Sequence, residues 1–186
     1  MGLLALGPSR CPAAEVNLVP NGGFETAGAM DANRPAGWRP HVHGKTSVAW
    51  SIKGGRGGSR CLQMAADPNE KWGHAYWTSE AIPVRPCMAY RVRFHFKSAG
   101  FGVPCFSLSK VKSWRLFKGD TEGNWLSHED VVVVPPDVTR TSFSVNNYNR
   151  PGKTMWLDDV SLIELPLSAS PLSKRLHKAR RSLAAI

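Results

Sequence analysis

Several things are scarce in this 186-residue sequence, and each scarcity narrows its function. No apolar run approaches the roughly 18 residues that a membrane-spanning helix needs, which excludes a transmembrane helix. Acidic residues are few, 14 against 24 Lys and Arg, giving a formal charge of +10. Five of those cations, Lys174, Arg175, Lys178, Arg180 and Arg181, sit in a C-terminal stretch without an acid, so the body is only mildly basic and is not expected to bind nucleic acid. The four cysteines (Cys11, Cys61, Cys87, Cys105) are too widely spaced for a zinc site of the C-x-x-C kind. Three of them fall in or beside predicted strands, where free core thiols are expected and one disulfide of unspecified pairing stays open.

Catalytic signatures are missing too. There is no G-x-S-x-G elbow, no phosphate-binding loop and no dinucleotide-binding glycine pattern. His41-x-His43 puts two imidazoles on one face of a predicted strand, without an obvious third ligand. Glu129 and Asp130 are adjacent and point opposite ways, which does not suit a glycosidase carboxylate pair. The chain is therefore expected not to be an enzyme. At the N-terminus, Leu3-Leu4-Ala5-Leu6 is a short apolar patch and Pro12-Ala13-Ala14 has the small-residue look of a cleavage site, but a positive n-region is lacking. Residues 1–16 read as a leader or truncated signal segment, with a secreted, extracellular or periplasmic location expected.

What is abundant is punctuation. The 17 Gly and 14 Pro fall between short β-branched and aromatic runs, the pattern of a turn-rich all-β protein. In Tyr90-Arg91-Val92-Arg93-Phe94-His95-Phe96-Lys97, Tyr90, Val92, Phe94 and Phe96 share one face and the cations and His95 the other, which predicts a half-buried antiparallel strand. The same alternation turns inward Val48, Trp50 and Ile52, then Leu62 and Met64, Phe106 and Leu108, Thr141, Phe143 and Val145, and Val160 and Leu162. Val131 to Val134 reads as a strand stopped by Pro135-Pro136. Eight to ten such strands predict an all-β, antiparallel β-sandwich or jelly roll over residues 17–165. Leu172, Leu176, Ala179 and Leu183 adopt a helical spacing, so residues 166–186 read as a basic linker or tail ending in an amphipathic helix or a solvated end.

Two end segments carry a family likeness. Asn17-Leu18-Val19-Pro20-Asn21-Gly22-Gly23-Phe24-Glu25, followed by Pro35-Ala36-Gly37-Trp38, opens the body, and Trp156-Leu157-Asp158-Asp159-Val160-Ser161-Leu162 closes it. Gly57 to Met64 and Ile82 to Tyr90, with Cys87 where glycine is usual, lie between them. In this order the segments resemble the carbohydrate-binding modules attached to bacterial cellulases and xylanases, which share a galactose-binding-domain-like jelly roll. Period two independently places Asp158 on the inward face with Val160 and Leu162, where a carboxylate must be protonated, paired or bound to a cation. Pairing with Lys or Arg, or capping of a turn, remains open for it. The resemblance implies a structural Ca²⁺ held by Glu25, Asp158 and carbonyls near Gly57-Gly58, ligands of the hard kind Ca²⁺ takes.

Sugars bind to flat apolar rings rimmed by hydrogen-bonding side chains. Trp38, Trp50 and Trp156 are assigned to the core by position or register. Trp72, Tyr76 and Trp77, with Trp114 and Trp125, lie in polar surroundings and are the candidate platforms; Tyr76 and Trp77 are neighbours on one strand, so only one of them can face outward. Arg91, Arg93 and His95 offer a polar rim or a solvated face, with Arg91 the chosen contact. The resemblance implies a non-catalytic module for polysaccharide or oligosaccharide, monomeric or tethered as accessory to a glycoside hydrolase. The alternative is a structural or adhesion sandwich that keeps the cation site and binds no sugar.

Overall fold

The computed structural model describes residues 15–69, 74–99, 103–115, 121–148, 152 and 154–166. The expected leader up to residue 14, the basic tail from 167 and Trp72 lie outside them. Among the described residues the strands are β1 (Trp38–His43), β2 (Thr46–Ser51), β3 (Cys61–Ala66), β4 (His74–Ser79), β5 (Ile82–Pro83), β6 (Ala89–Ala99), β7 (Val103–Leu108), β8 (Lys112–Arg115), β9 (Leu126–Val133), β10 (Arg140–Thr141), β11 (Phe143–Tyr148) and β12 (Thr154–Glu164). They form two five-stranded sheets, β1-β4-β11-β7-β8 and β2-β3-β12-β6-β9, and the small pair β10-β5. Every strand pairing is antiparallel, and the result is the expected β-sandwich.

The sheets meet through the inward faces that alternation picked out. Tyr90, Val92, Phe94 and Phe96 are all buried, and Phe94 lies 4.2 Å from Phe106 and 5.3 Å from Phe143 of the opposite sheet, centroid to centroid. Each such ring or aliphatic side chain contributes about 1.5–3 kcal/mol when fully removed from water. Leu62, Met64, Leu108, Val145, Val160 and Leu162 complete the centre. Val48 and Trp50 are only partly buried against it, and Ile52 is 63% exposed because β2 stops at Ser51.

The opening and closing segments meet, as first and last strands of such sandwiches do. Asn17 bridges Ile163, Leu18 N–H donates to Leu162 O (2.9 Å), and Val160 N–H donates to Gly22 O (2.9 Å). Gly22 must be a glycine here, since a Cβ on it would stand 1.9 Å from Val160 O.

One feature of β12 overturns a register argument. Asp158 pairs with His95 but Ser161 with Arg93, so β12 holds one extra residue, a β-bulge with Asp159 in the left-handed region (φ 50°). Before the bulge Met155 and Leu157 point inward; after it Val160 and Leu162 do. Trp156 and Asp158 therefore belong to the outer face. Trp156 is half-buried there rather than a core residue, beside Lys97, whose Nζ lies 4.9 Å from its ring centroid.

Candidate functional site

The outer face of β1-β4-β11-β7-β8 is the candidate binding surface, and strand register builds it in rows. His41 lies opposite Tyr76, Tyr76 opposite Asn146, Asn146 opposite Cys105, and Cys105 opposite Arg115. The next row runs Arg39, Thr78, Ser144, Ser107, Ser113. Because the inward positions between them are Trp38, Ala75, Trp77, Val145, Phe106 and Trp114, all these polar residues project outward.

At one side stands a ladder of rings. His41 and Tyr76 stack at 4.3 Å with planes 8° apart, His43 and His74 at 4.3 Å and 23°, and His74 lies 6.0 Å from Tyr76 at 9°. Beside the ladder is a floor of hydroxyls, in which Thr78 Oγ1 and Ser144 Oγ are 3.1 Å apart. Tyr76 borders an open hollow of about 250 Å³ with Cys105, Ser107, Ser113, Ser144 and Asn146. His41 covers one face of the phenol, and the hollow takes the other. Asn146 Oδ1 is buried with no hydrogen-bond partner, an acceptor in want of a donor. A larger hollow of about 540 Å³ continues between Arg39, His41, Thr78 and Arg140. Rings, hydroxyls, an amide and guanidinium groups on one open surface can stack on and hydrogen-bond to a polyhydroxylated chain.

A second locus joins the two carboxylates of the end segments. A 3₁₀ turn at Arg56–Gly58 leads into β3. Asp158 Oδ2 accepts from Arg56 N–H (2.9 Å) and Ser59 Oγ (3.3 Å), and its Oδ1 from Asp159 N–H (2.8 Å). Glu25 Oε1 accepts from Arg60 N–H (3.0 Å) in the same segment. Asp158 is 1% exposed although it points away from the core, because this turn lies over it. Burial pushes its carboxyl up to about 6 against the hydrogen bonds from Arg56 and Asp159. The Arg56 guanidinium goes to Asp159, and among the described residues no cationic side chain pairs with Asp158. Burial and then the Asp158 charge push the neighbouring Cys61 thiol up to about 12.

Two carboxylates are ligands of the hard oxygen kind that Ca²⁺ takes, and here their oxygens accept from backbone N–H groups and the Ser59 hydroxyl. No group of three or more His, Cys, Asp or Glu side chains gathers for a metal among the described residues, so carbonyls and water would supply the remaining ligands.

Of the described residues chosen from sequence as sugar contacts, Tyr76 alone lies on the ringed face. Trp77 points inward with 2% exposure, and its Nε1 donates to Gln63 O at 3.3 Å. Trp114 is not in a loop but on β8, inward-facing against Phe94, with Nε1 donating to Asp130 Oδ2 at 2.7 Å. Both are thereby withdrawn as open platforms. Arg91 lies on the outer face of the other sheet, paired with Glu15. Trp125 is half-buried on that side too, 4.9 Å from the Lys97 ammonium that also lies against Trp156. His41, His43, His74, Thr78 and Asn146 were not chosen; the His-x-His spacing was visible, but its stacking partners come from β4. Of the cysteines, Cys61 is buried, Cys105 partly exposed on the ringed face and Cys87 exposed; all three are free.

No family model matches the sequence, and no curated protein matches it. Solved structures do match. A family 61 carbohydrate-binding module in complex with β-1,4-galactotriose is similar at TM-score 0.60 and 17% identity, over 81% of this chain and 99% of that one. A family 16 carbohydrate-binding module matches at 0.58 and 16%, over 80% and 100%. An arabinose-bound α-L-arabinofuranosidase matches at 0.59 and 18%, over 83% of this chain but 27% of the enzyme, so the same fold also occurs within enzymes. The chain thus has the β-sandwich fold of the family 61 and family 16 carbohydrate-binding modules.

Proposed function

We propose that this protein is a non-catalytic glycan-binding module that takes a polysaccharide or oligosaccharide on the outer face of β1-β4-β11-β7-β8, as an accessory to a secreted glycoside hydrolase. The observation that carries this reading is the stacked His41–Tyr76 pair bordering a hydroxyl-lined hollow with the unpartnered Asn146 Oδ1. A ring held upright by a neighbour is a platform that loses little entropy on binding. The fold by itself does not specify a ligand, so the reading rests on these residues.

A Ca²⁺ held by Glu25 and Asp158 belongs to the same proposal. Bound there, it would neutralise the buried carboxylate and tie the opening segment, the Arg56–Gly58 turn and the bulge of β12 together. Its role is structural, since both carboxylates lie at the sandwich edge formed by the end segments.

A second reading, a spacer sandwich that binds no sugar, draws support from the placement of Trp77 and Trp114 inside the core rather than on a shared open face. Affinity electrophoresis against a panel of soluble plant and algal polysaccharides separates the two. The binding reading expects retardation by at least one glycan, lost in Tyr76→Ala. Unretarded migration on every gel would leave the spacer.

A further inference from the structure

The charges of this protein are distributed unevenly between its two faces. On the outer side of β2-β3-β12-β6-β9 the arginines are neutralised: Arg91 by Glu15, Arg93 by Glu129, and Arg56 by Asp159. Arg34 and Arg85 elsewhere pair with Asp31 and Glu164. On the ringed face the arrangement is opposite. Arg39, Arg115 and Arg140 are exposed there, and none pairs with a carboxylate among the described residues. Lys110, at the rim of the adjoining hollow, forms no ion pair among the described residues either. Glu80 is the one acid among the residues lining these hollows, and it forms no ion pair with them.

Unpaired guanidinium groups have a cost in mutual repulsion, and five of the six other described arginines avoid it by pairing with a carboxylate, the sixth, Arg60, lying over the Trp50 ring instead. Guanidinium groups are also the groups best shaped for oxyanions, since the planar fork gives two parallel hydrogen bonds to a carboxylate or sulfate. Arg39 and Arg140 line one hollow together, and Ser109 and Ser142 line it with them as further hydrogen-bonding groups. Arg115 stands on the opposite edge strand, β8, four strand spacings from β1, about 19 Å away. A single charged sugar cannot reach both ends, whereas a chain with repeated charges can.

We propose that the ringed face recognises an acidic glycan, a polymer carrying carboxylate or sulfate ester groups, with Arg39 and Arg140 holding one anionic group and Arg115 another along the chain. This rests on the glycan-binding reading above and names its ligand class.

The test is affinity electrophoresis of the full chain in polygalacturonate, alginate and carrageenan, with neutral β-1,4-galactan and single-stranded DNA alongside. Because the C-terminal stretch itself carries five cations, comparison among variants decides the outcome and not retardation alone. The expected result is retardation by a uronate or a sulfated polymer, weakened at least tenfold in Arg39→Gln/Arg140→Gln. Arg93→Gln, on the other face, should migrate as the parent does. The uronate and sulfate gels distinguish which anion is read. Retention by neutral galactan that ignores the double variant would overturn the acidic-ligand proposal while leaving glycan binding intact. Retention on DNA as strong as on any glycan, unaffected by Tyr76→Ala, would overturn both, as would the absence of retention by any glycan. All three arginines are exposed, and a thermal melt of each variant verifies that the fold is kept.

Discussion

Cys87 occupies a backbone conformation that its side chain disfavours. The turn runs from Arg85 to Met88, closed by Met88 N–H donating to Arg85 O (3.3 Å), with Pro86 at the second position and Cys87 at the third with φ 60°. Proline followed by a left-handed residue is the pattern of a type II turn, where glycine is the preferred third residue. Its N–H is already used, donating to Val134 O at 2.9 Å, and its thiol is exposed, so the side chain contributes little to offset the strain. The left-handed conformation costs an L-residue about 1–2 kcal/mol. Replacing it by glycine relieves that cost but gives the unfolded chain about 0.4–1 kcal/mol more freedom. Cys87→Gly should therefore stabilise by about 0.5–1 kcal/mol, or roughly 1–4 °C in Tm for a domain of this size. Cys87→Ala keeps the Cβ and should stay at the parent value, which separates backbone strain from thiol chemistry. Urea and thermal melts under reducing conditions read both. A glycine variant no more stable than the alanine variant would refute the turn argument.

Adding Ca²⁺ to chelated protein should raise Tm, by about 2.7 kcal/mol of stability at a hundredfold excess over Kd, and Asp158→Asn with Glu25→Gln should abolish the response. A melting temperature indifferent to chelator would rule the cation out. Trp77→Ala should cost about 3–5 kcal/mol and impair folding, whereas Tyr76→Ala should melt within a few degrees of the parent; comparable losses would contradict the inward and outward placement of these neighbours. His128 packs 5.0 Å from Phe94 with its Nε2 buried and unpartnered, and burial holds its imidazole below the usual range. The unfolded chain protonates this group first, so the stability it contributes is present above about pH 6.5 and is lost as pH falls through the folded value. His128→Phe should flatten that acid-side loss in urea midpoints taken between pH 7.5 and 5.5, and an unchanged pH slope would count against it.

The sequence alone determined the sandwich, because a strand buried on one face must alternate and Tyr90 to Lys97 does so without interruption. The opening and closing segments meet as expected, but alternation pointed Asp158 into the core, which it does not enter. Its burial was decided by tertiary structure: the bulge at Asp159 turns Asp158 outward, and the Arg56–Gly58 turn covers it. A one-residue insertion shifts every side chain beyond it to the other face, and no period-two count registers it, which is also why Trp156 left the core. As a sugar contact the candidate site was legible only at Tyr76, with His41-x-His43 visible as a spacing whose partners were not. Besides His74 and Thr78 on the same strand, its members come from β1, β7, β8 and β11, so His41, Asn146, Cys105 and Arg115 become neighbours through register alone. Alternation states that a residue faces outward; which of two outer faces it joins depends on how the strands are dealt between the sheets, and that is a property of the folded chain.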